Sequence, residues 1–290
     1  MRAHTIERIG FIGIGDIGFP MATRLLNAGY EIIAYDLDQS TMERFTEIGG
    51  QVASSPGAVS EASDSVHIAV VNDEQLTTVL LGDDGIFTTL PDDRQCLIVV
   101  HSTVQPQTLS ELADHAPPNI KIIDGAVSGT RQRAERGELS MMVGGPSDVI
   151  ESYLPILNVI ASDVFQMGPV GSGLIVKLAN NSILYAAAAA TLEALDIGRK
   201  AGLTEEEMIE VFCQSSGLTF FGQHYEFFMN ERANTPAGPT APIRNSQKTF
   251  IQYLTLAQSL NVSVPMGAIA SQQYPSLLRE SYIRNGILEE

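Results

Sequence analysis

The chain has 290 residues, of which 44% are hydrophobic, and carries a formal net charge of −17 from 17 basic and 34 acidic side chains. This length suits one large or two ordinary domains with a sizeable core. The acidic balance argues against sequence-independent binding of DNA or RNA and against anionic membranes. It is compatible with an anionic cofactor, because backbone N–H groups at a helix start bind phosphate whatever the overall charge.

Two cysteines, Cys96 and Cys213, form neither a disulfide framework nor a metal-ligand spacing. The opening residues, MRAHTIER, contain no apolar core of a secretion signal. The longest apolar run, residues 183–192, is too short to span a bilayer. We therefore expect a reduced, cytoplasmic protein with no metal site and no membrane segment.

The first predicted elements surround a glycine-rich motif, Gly13-Ile14-Gly15-Asp16-Ile17-Gly18. A short buried strand at 8–14 overlaps it, a helix at 19–28 follows, and a second strand at 31–35 is closed by Asp36. The first glycine allows a tight turn, the second lets the backbone approach a pyrophosphate, and the third lets the helix pack closely. Because strand, helix, strand and acid are all in place, the motif predicts a dinucleotide-binding fold.

Asp36 bears on the choice of cofactor. A carboxylate at the end of the second strand would bind the adenosine ribose hydroxyls and repel the 2′-phosphate of NADP. The residues that follow, LDQST, provide no cation for that phosphate, and the first basic side chain is Arg44. The sequence therefore favours NAD over NADP.

Strands and helices continue to alternate through the first half of the chain. Helices are predicted around 56–63, 73–81 and 106–114, and strands at 66–71, 97–100 and 120–124. This series predicts a parallel, doubly wound sheet. Two further strands, 139–143 and 164–167, flank a helix that starts near residue 146.

Ligands of such sheets lie beyond the carboxyl ends of the strands. We expect two strand ends to face the cofactor, Val70-Val71-Asn72 and His101-Ser102-Thr103, and residues 124–130 to border the substrate. A catalytic role for His101 is open, but a structural role is favoured because the sequence shows no partner for it.

A long helix is predicted after three glycines at positions 168, 171 and 173, since no glycine or proline interrupts residues 174–197. Its apolar or alanine residues on every side are typical of a buried helix. Lys177, Asn180 and Asn181 share one face near its amino end. Burial favours a neutral lysine amine, which could exchange a proton near neutral pH. The alternative is a solvated lysine whose stem alone is buried.

The rest of the chain has a helical pattern, at 204–214, 218–229, 245–260 and 266–284, with a loop at 234–242. We therefore predict an α/β nucleotide-binding domain over residues 1–167 and an all-α domain over 168–290. A long inter-domain helix, about 172–198, would join them and would place Lys177 at a cleft between the domains.

Four segments in this order resemble motifs of the β-hydroxyacid dehydrogenase family, which includes 3-hydroxyisobutyrate dehydrogenase and tartronate semialdehyde reductase, with 6-phosphogluconate dehydrogenase more distant. GFIGIGDIGFPMATRLLNAGY is similar to the cofactor motif, and DGAVSGT is similar to the substrate motif D-x-P-V-S-G-G. GPVGSGLIVKLANN is similar to the catalytic motif, and QKTFIQYLTLAQSLNVSVP to the late helix. The resemblance extends from about Ile9 to about Ser281.

The resemblance implies a role for each matching residue. Lys177 would be the general acid/base, and Asn181 and Asn180 would position the substrate. The substrate carboxylate would be held by Ser128 and by the backbone at Gly129 and Thr130. The nicotinamide side of the cofactor would be bordered by Thr103 and Lys248. The family also implies a homodimer or homotetramer and a small hydroxy acid or semialdehyde as substrate.

The chain departs from the family pattern around the expected substrate. Thr130 replaces a glycine, Thr249 an aspartate and Phe220 a tryptophan, and Ala126 stands where proline is usual. Arg131 and Arg133 occupy positions that are usually small, and either could bind a second anionic group or point to solvent.

Three functions are compatible with these features. The leading interpretation is an NAD-dependent oxidoreductase of a small 3-hydroxy acid or its semialdehyde. An imine reductase or an NADPH-linked aldehyde reductase shares the fold, but Lys177 argues against the former and Asp36 against the latter. A catalytically silent NAD-binding sensor is the third, and it would have no need of Lys177 beside Asn181.

Overall fold

A computed structural model describes residues 8–231 and 238–289. The amino-terminal residues 1–7 and residues 234–237 of the predicted loop lie outside this range. Packing divides the chain into two compact units, the first ending at Lys177 and the second beginning at Leu178. The predicted boundary at 167/168 stays a prediction.

The first unit is built on one eight-stranded sheet with the order β3-β2-β1-β4-β5-β6-β7-β8. Its strands are β1 (Arg8–Ile12), β2 (Glu31–Tyr35), β3 (Gln51–Val52), β4 (Ser65–Ile68), β5 (Cys96–Val100), β6 (Ile120–Ser128), β7 (Leu139–Gly144) and β8 (Ala161–Gly168). The order reverses between β1 and β4, where ligands of doubly wound sheets bind. The predicted α/β fold is confirmed.

One strand pair corrects the prediction of a wholly parallel sheet. β6 continues through Ser128 instead of ending at residue 124, and it pairs with β7 in antiparallel orientation. The physical reason is the connection between them. Ten residues separate Ser128 from Leu139, whereas a parallel crossover needs a dozen or more.

Helices cover both faces of the sheet. They are α1 (Gly18–Asn27), α2 (Gln39–Glu47), α3 (Pro56–Ala62), α4 (Asp73–Leu81), α5 (Ile86–Thr89), α6 (Pro106–Asp114), α7 (Arg131–Arg136) and α8 (Ser147–Ile160). Successive strand residues point to opposite faces, so Phe11 belongs to one buried apolar cluster and Ile12 to the other. The helices α2, α5 and α7 and the strand β3 were not predicted.

The regular elements of the second unit, among its described residues, are all helices. It contains most of α9 (Ser172–Lys200), followed by α10 (Glu205–Gln214), α11 (Phe220–Gln223), a π-helical turn (Phe227–Glu231), α12 (Ala241–Ser259) and α13 (Pro265–Arg284). The predicted helix at 218–229 is therefore broken into two short pieces. Aromatic rings dominate the core, with Tyr185 stacked on Tyr274 at a centroid distance of 5.1 Å.

By length and composition α9 could also cross a membrane, which is weak evidence because buried helices of soluble proteins pass the same test. Leu174 and Leu178 are fully buried. Further along α9, Ala188 and Leu192 belong to the aromatic core of the second unit. We interpret α9 as a core helix.

Candidate active site

The glycine motif forms a tight loop between β1 and α1. Gly13 has φ of +85°, and a Cβ there would lie 2.5 Å from the carbonyl oxygen of Ala69. A Cβ at Gly18 would collide with the carbonyl of Gly13, whereas one at Gly15 would meet nothing within 4 Å. The first turn of α1 has no side-chain cap. The loop thus leaves open space beside helix-start N–H groups, which fits the pyrophosphate of a dinucleotide.

Asp36 supports this loop as well as closing β2. The Ile14 N–H donates to Asp36 Oδ2 at 2.8 Å, and the Asp38 N–H donates to Oδ1 at 2.9 Å. The sequence predicted a ribose-binding carboxylate, but this second role as an anchor of the glycine loop was not foreseen. Each oxygen retains a lone pair for a ligand hydroxyl.

The ends of β4 and β5 are linked by a hydrogen bond from the Val70 N–H to Ser102 Oγ at 2.7 Å. Val71 is 63% exposed. The side chain of Asn72 caps α4 by accepting from the Gln75 N–H at 2.8 Å. Residues 70–72 therefore lie at the predicted strand end, where the Asn72 amide oxygen already has a structural partner. Contacts of these residues, and of Thr103, with a cofactor remain predictions.

The substrate segment, Asp124–Thr130, runs from the middle of β6 to the start of α7. Ser128 is the last residue of the strand and pairs with Ser140. Gly129 has φ of +152°, and a Cβ there would lie 2.5 Å from Leu139 Cδ2, so a side chain at this position would be strained. Thr130 Oγ1 accepts from the Arg133 N–H at 3.2 Å and caps α7. The threonine that departs from the family pattern therefore has a helix-capping role.

The two unusual arginines differ in their surroundings. Arg131 Nη1 lies 3.5 Å from Asp16 Oδ1 in the glycine loop, and its Nε lies 3.0 Å from Glu135 Oε1. Its charge is thus shared between two carboxylates. Arg133 is partly buried, and a Cβ placed on Gly129 would lie 3.4 Å from Arg133 Cβ. Recognition of a second anionic group by either side chain stays a prediction.

A buried carboxylate fixes the start of α9. Asp124 is fully buried and accepts from the Gly171 N–H at 2.6 Å and from the Leu174 N–H at 2.9 Å. Burial raises the pKa of this carboxyl, and the backbone hydrogen bonds oppose that shift. A Cβ at Gly173 would lie 2.6 Å from Asp124 Oδ2, so the glycine admits this close approach. The substrate segment and the start of the lysine helix are thereby joined.

Lys177 follows Leu174 by about one helical turn. Lys177 is 9% exposed and Asn181 is 8% exposed, whereas Asn180 is exposed to solvent. The predicted lysine and the second asparagine are thus both buried on α9, and the first asparagine is separated from them. In the second unit, Lys248 on α12 is partly buried, and the Thr249 hydroxyl donates to the carbonyl of Asn245 at 2.8 Å.

The first unit also contains a buried histidine pair that sequence analysis missed. His67 Nδ1 and His101 Nε2 are 2.8 Å apart, and His67 Nε2 lies 2.7 Å from the hydroxyl of Tyr153. Burial lowers the pKa of His101 to about 4. Burial, and then His101, lowers the pKa of His67 well below its ordinary value. Both imidazoles are therefore neutral at physiological pH.

The buried pair of His67 and His101 predicts that the folded state loses stability in acid. Because the unfolded histidines titrate near 6.5 and the folded ones lower, the unfolded state binds more protons as the pH falls below 6.5. We expect the unfolding free energy to fall between pH 6.5 and about 4, with a loss of about 2 kcal/mol at pH 5 from His101 alone. The raised pKa of Asp124 acts in the opposite direction.

Urea unfolding at pH 7.5 and pH 5.0 measures this loss. The exposed His115, the C-cap residue of α6, provides the control, because His115→Asn removes a histidine outside the buried pair. The control variant should keep the wild-type difference between the two pH values. Equal stability of the wild type at both would contradict the prediction.

The doubly wound sheet, the glycine loop and Asp36 define a Rossmann-type nucleotide-binding protein. A family described as the NAD binding domain of 6-phosphogluconate dehydrogenase matches residues 8–168. A second, described as the NAD-binding domain of NADP-dependent 3-hydroxyisobutyrate dehydrogenase, matches residues 171–286. The chain belongs to the family of NAD-binding dehydrogenases that these two descriptions share. The predicted family and the predicted NAD-binding oxidoreductase are confirmed.

Curated relatives match over nearly the whole chain. The 2-(hydroxymethyl)glutarate dehydrogenase of Eubacterium barkeri is 32% identical over 91% of this chain and 87% of its own. The NAD-dependent L-serine dehydrogenase of Pseudomonas aeruginosa is 29% identical over 96% of this chain and 94% of its own. The fold is similar to that of 3-hydroxyisobutyrate dehydrogenase from Salmonella typhimurium, with a TM-score of 0.80, 24% identity and 95% of both chains covered.

Proposed function

We propose that this protein is an NAD-dependent dehydrogenase of a small 3-hydroxy acid, working between that acid and its semialdehyde, with Lys177 as the general acid/base. The observation that carries the proposal is the burial of Lys177 together with Asn181 one turn further along α9. Burial disfavours the ammonium form of a lysine, so a buried amine is suited to exchange a proton near neutral pH.

The relatives support this substrate class by their chemistry. Serine, 2-(hydroxymethyl)glutarate and 3-hydroxyisobutyrate, which their names specify, each carry a hydroxymethyl group on the carbon next to a carboxylate. A site for such molecules needs an anion-binding segment and a proton acceptor. The substrate segment and Lys177 are the candidates for these two roles.

The chemistry then divides among residues of this chain. A bound nicotinamide would supply the hydride acceptor for the carbinol carbon. Lys177 Nζ, as the neutral amine, takes the proton of the substrate hydroxyl during oxidation and returns it as ammonium during reduction. Asn181 positions the substrate, and Ser128 with the backbone of Gly129 and Thr130 holds its carboxylate. Such proton transfer contributes about 10²–10⁴-fold to the rate.

We also propose that the glycine loop and Asp36 select NAD over NADP. Replacing Asp36 with asparagine keeps an acceptor for the Ile14 N–H but removes the charge that repels a 2′-phosphate. We expect the NAD/NADP ratio of kcat/KM to fall by about tenfold, since a charged contact is worth roughly 1.5 kcal/mol or more. Glu31→Gln, at the exposed opposite end of β2, is the control and should leave the ratio unchanged.

The experiment that tests the proposed function is NADH formation with a panel of 3-hydroxy acids. The panel contains 3-hydroxyisobutyrate, L-serine, D-glycerate and 2-(hydroxymethyl)glutarate, with L-lactate as a 2-hydroxy acid control and NADP in parallel. Turnover of a 3-hydroxy acid but not of lactate supports the proposal. Turnover only of imines or of aldehydes without a carboxylate would overturn it in favour of the reductase.

If calorimetry shows that NAD binds and no substrate turns over in either direction, the sensor interpretation replaces the proposal.

The reduced cysteines, Cys96 and Cys213, support a cytoplasmic enzyme. A homodimer or homotetramer is part of the same proposal, and sedimentation velocity tests it.

A further inference from the structure

A continuous chain of buried hydrogen bonds ends at the substrate segment. Ser65 Oγ lies 2.7 Å from the Tyr153 hydroxyl, which lies 2.7 Å from His67 Nε2. His67 Nδ1 lies 2.8 Å from His101 Nε2, and His101 Nδ1 lies 2.6 Å from the carbonyl oxygen of Gly125. All four side chains are at most 4% exposed.

The carbonyl oxygen of Gly125 can only accept a hydrogen bond, and this fixes the donor and the acceptor of every hydrogen bond in the series. His101 Nδ1 must therefore carry the proton, which leaves Nε2 of the neutral ring as an acceptor. His67 then donates from Nδ1 and accepts at Nε2 from the Tyr153 hydroxyl. Ser65 donates to the tyrosine oxygen. One tautomer of each histidine satisfies the whole chain.

The last hydrogen bond of the series, from His101 to the Gly125 carbonyl, lies just beyond the point where the backbone pairing of β5 with β6 ends. β5 and β6 pair up to Val100 and Asp124, and β6 then continues through Ser128 paired with β7. His101, the residue after Val100, thus bonds the next β6 residue through its imidazole, while its backbone N–H donates to the carbonyl of Ile68 on β4. Gly125 admits the ring, since a Cβ there would lie 3.2 Å from His101 Nδ1.

We propose that His101 is a positioning residue for the substrate segment, holding Gly125 so that Asp124 meets α9 on one side and Ser128 is presented on the other. His67, Tyr153 and Ser65 hold the imidazole in the required tautomer. This inference rests on the proposed function, because it gives the segment its role toward the hydroxy-acid carboxylate.

Two substitutions of His101 separate positioning from general stability. Asparagine places its amide nitrogen near the position of Nδ1, so His101→Asn keeps a donor for the Gly125 carbonyl and loses the bond to His67. Glutamine places its amide near the position of Nε2, so His101→Gln keeps a partner for His67 and loses the bond to Gly125. Each variant loses one buried bond, and their thermal unfolding is measured to verify comparable stability. His115→Asn is the exposed control.

The first readout is backbone hydrogen exchange of residues 125–130 in the enzyme without substrate. We expect exchange to be at least tenfold faster in His101→Gln than in wild type and within threefold of wild type in His101→Asn. Equal exchange in the two variants would overturn the positioning of the segment. Because this readout needs no turnover, it holds even if the proposed substrate class is wrong.

The second readout is the steady-state kinetics of the hydroxy acid identified above. We expect His101→Gln to raise the substrate KM about tenfold with little change in kcat and in the Kd of NAD, and His101→Asn to restore KM to within threefold of wild type. A changed exchange rate with an unchanged KM would overturn the role toward substrate. Equal loss of kcat in both variants would overturn it in favour of a purely structural role.

Discussion

Replacing Lys177 with methionine is expected to lower kcat/KM for the hydroxy acid by about 10²–10⁴-fold, because the buried proton acceptor is lost. Methionine fills a similar length of apolar space, so the 9% exposed position should keep its packing. NAD binding should change less than threefold. Stopped-flow NADH formation and calorimetric titration of NAD measure the two effects separately.

The matched control for Lys177→Met is a second lysine on α9, Lys200. Lys200 is in the last turn of α9, is 70% exposed and lies 3.0 Å from Asp196. Lys200→Met removes one cation from α9 at the opposite end and should leave kcat/KM within twofold. If Lys177→Met retained more than a tenth of wild-type kcat/KM, the lysine would not be the general acid/base.

Local chemistry explains why the nucleotide half of the fold was predictable. Three glycines occur within six positions, and at two of them, Gly13 and Gly18, a Cβ would clash with the backbone. β2 has the predicted bounds of 31–35 because an apolar segment lies between charged or polar ends. The alternation of strands and helices required no knowledge of distant contacts. Such signals depend on residues that are close in the sequence.

The missed elements have weak local signals. α2 buries only Phe45 and is otherwise largely polar, so few apolar residues mark it as a helix, and the two-residue β3 is too short to alternate. α7 has six residues, four of them charged, and its start depends on the Thr130 cap. The antiparallel pairing of β6 and β7 depends on the length of a connection, which apolar periodicity does not report.

The burial of the candidate site residues was predictable where they share one helix, whereas contacts made through the sheet were not. Lys177 and Asn181 were predicted because helical spacing puts them on one face, but the rotation that exposes Asn180 depends on tertiary packing. His101 was left without a partner since its neighbours are 34 residues away on β4 and 24 residues away on β6. Only the order of the strands brings those groups together.

The carboxylate of Asp124 accepts hydrogen bonds from two N–H groups at the start of α9, in a fully buried site. Asparagine has nearly the same shape, but its NH₂ group would face the N–H of Gly171 or of Leu174. We expect Asp124→Asn to lower the unfolding free energy by about 3 kcal/mol, because a charge-assisted bond is lost and a buried donor is left unpaired. Urea unfolding at pH 7.5 measures the change.

Asp38→Asn is the control that tests whether burial causes the stability loss expected for Asp124→Asn. Asp38 also accepts an N–H at a helix start, from Ser40 at the beginning of α2, but it is exposed. Asparagine is an equally good N-cap at such a site, so Asp38→Asn should cost much less stability than Asp124→Asn. Asp124→Asn should also speed backbone exchange at Gly171 and Leu174 and lower kcat/KM, because the turn that precedes Lys177 loses its anchor. Equal stability losses in the two variants would mean that Asp124 acts as an ordinary cap, and the link from the substrate segment to Lys177 would have to lie elsewhere.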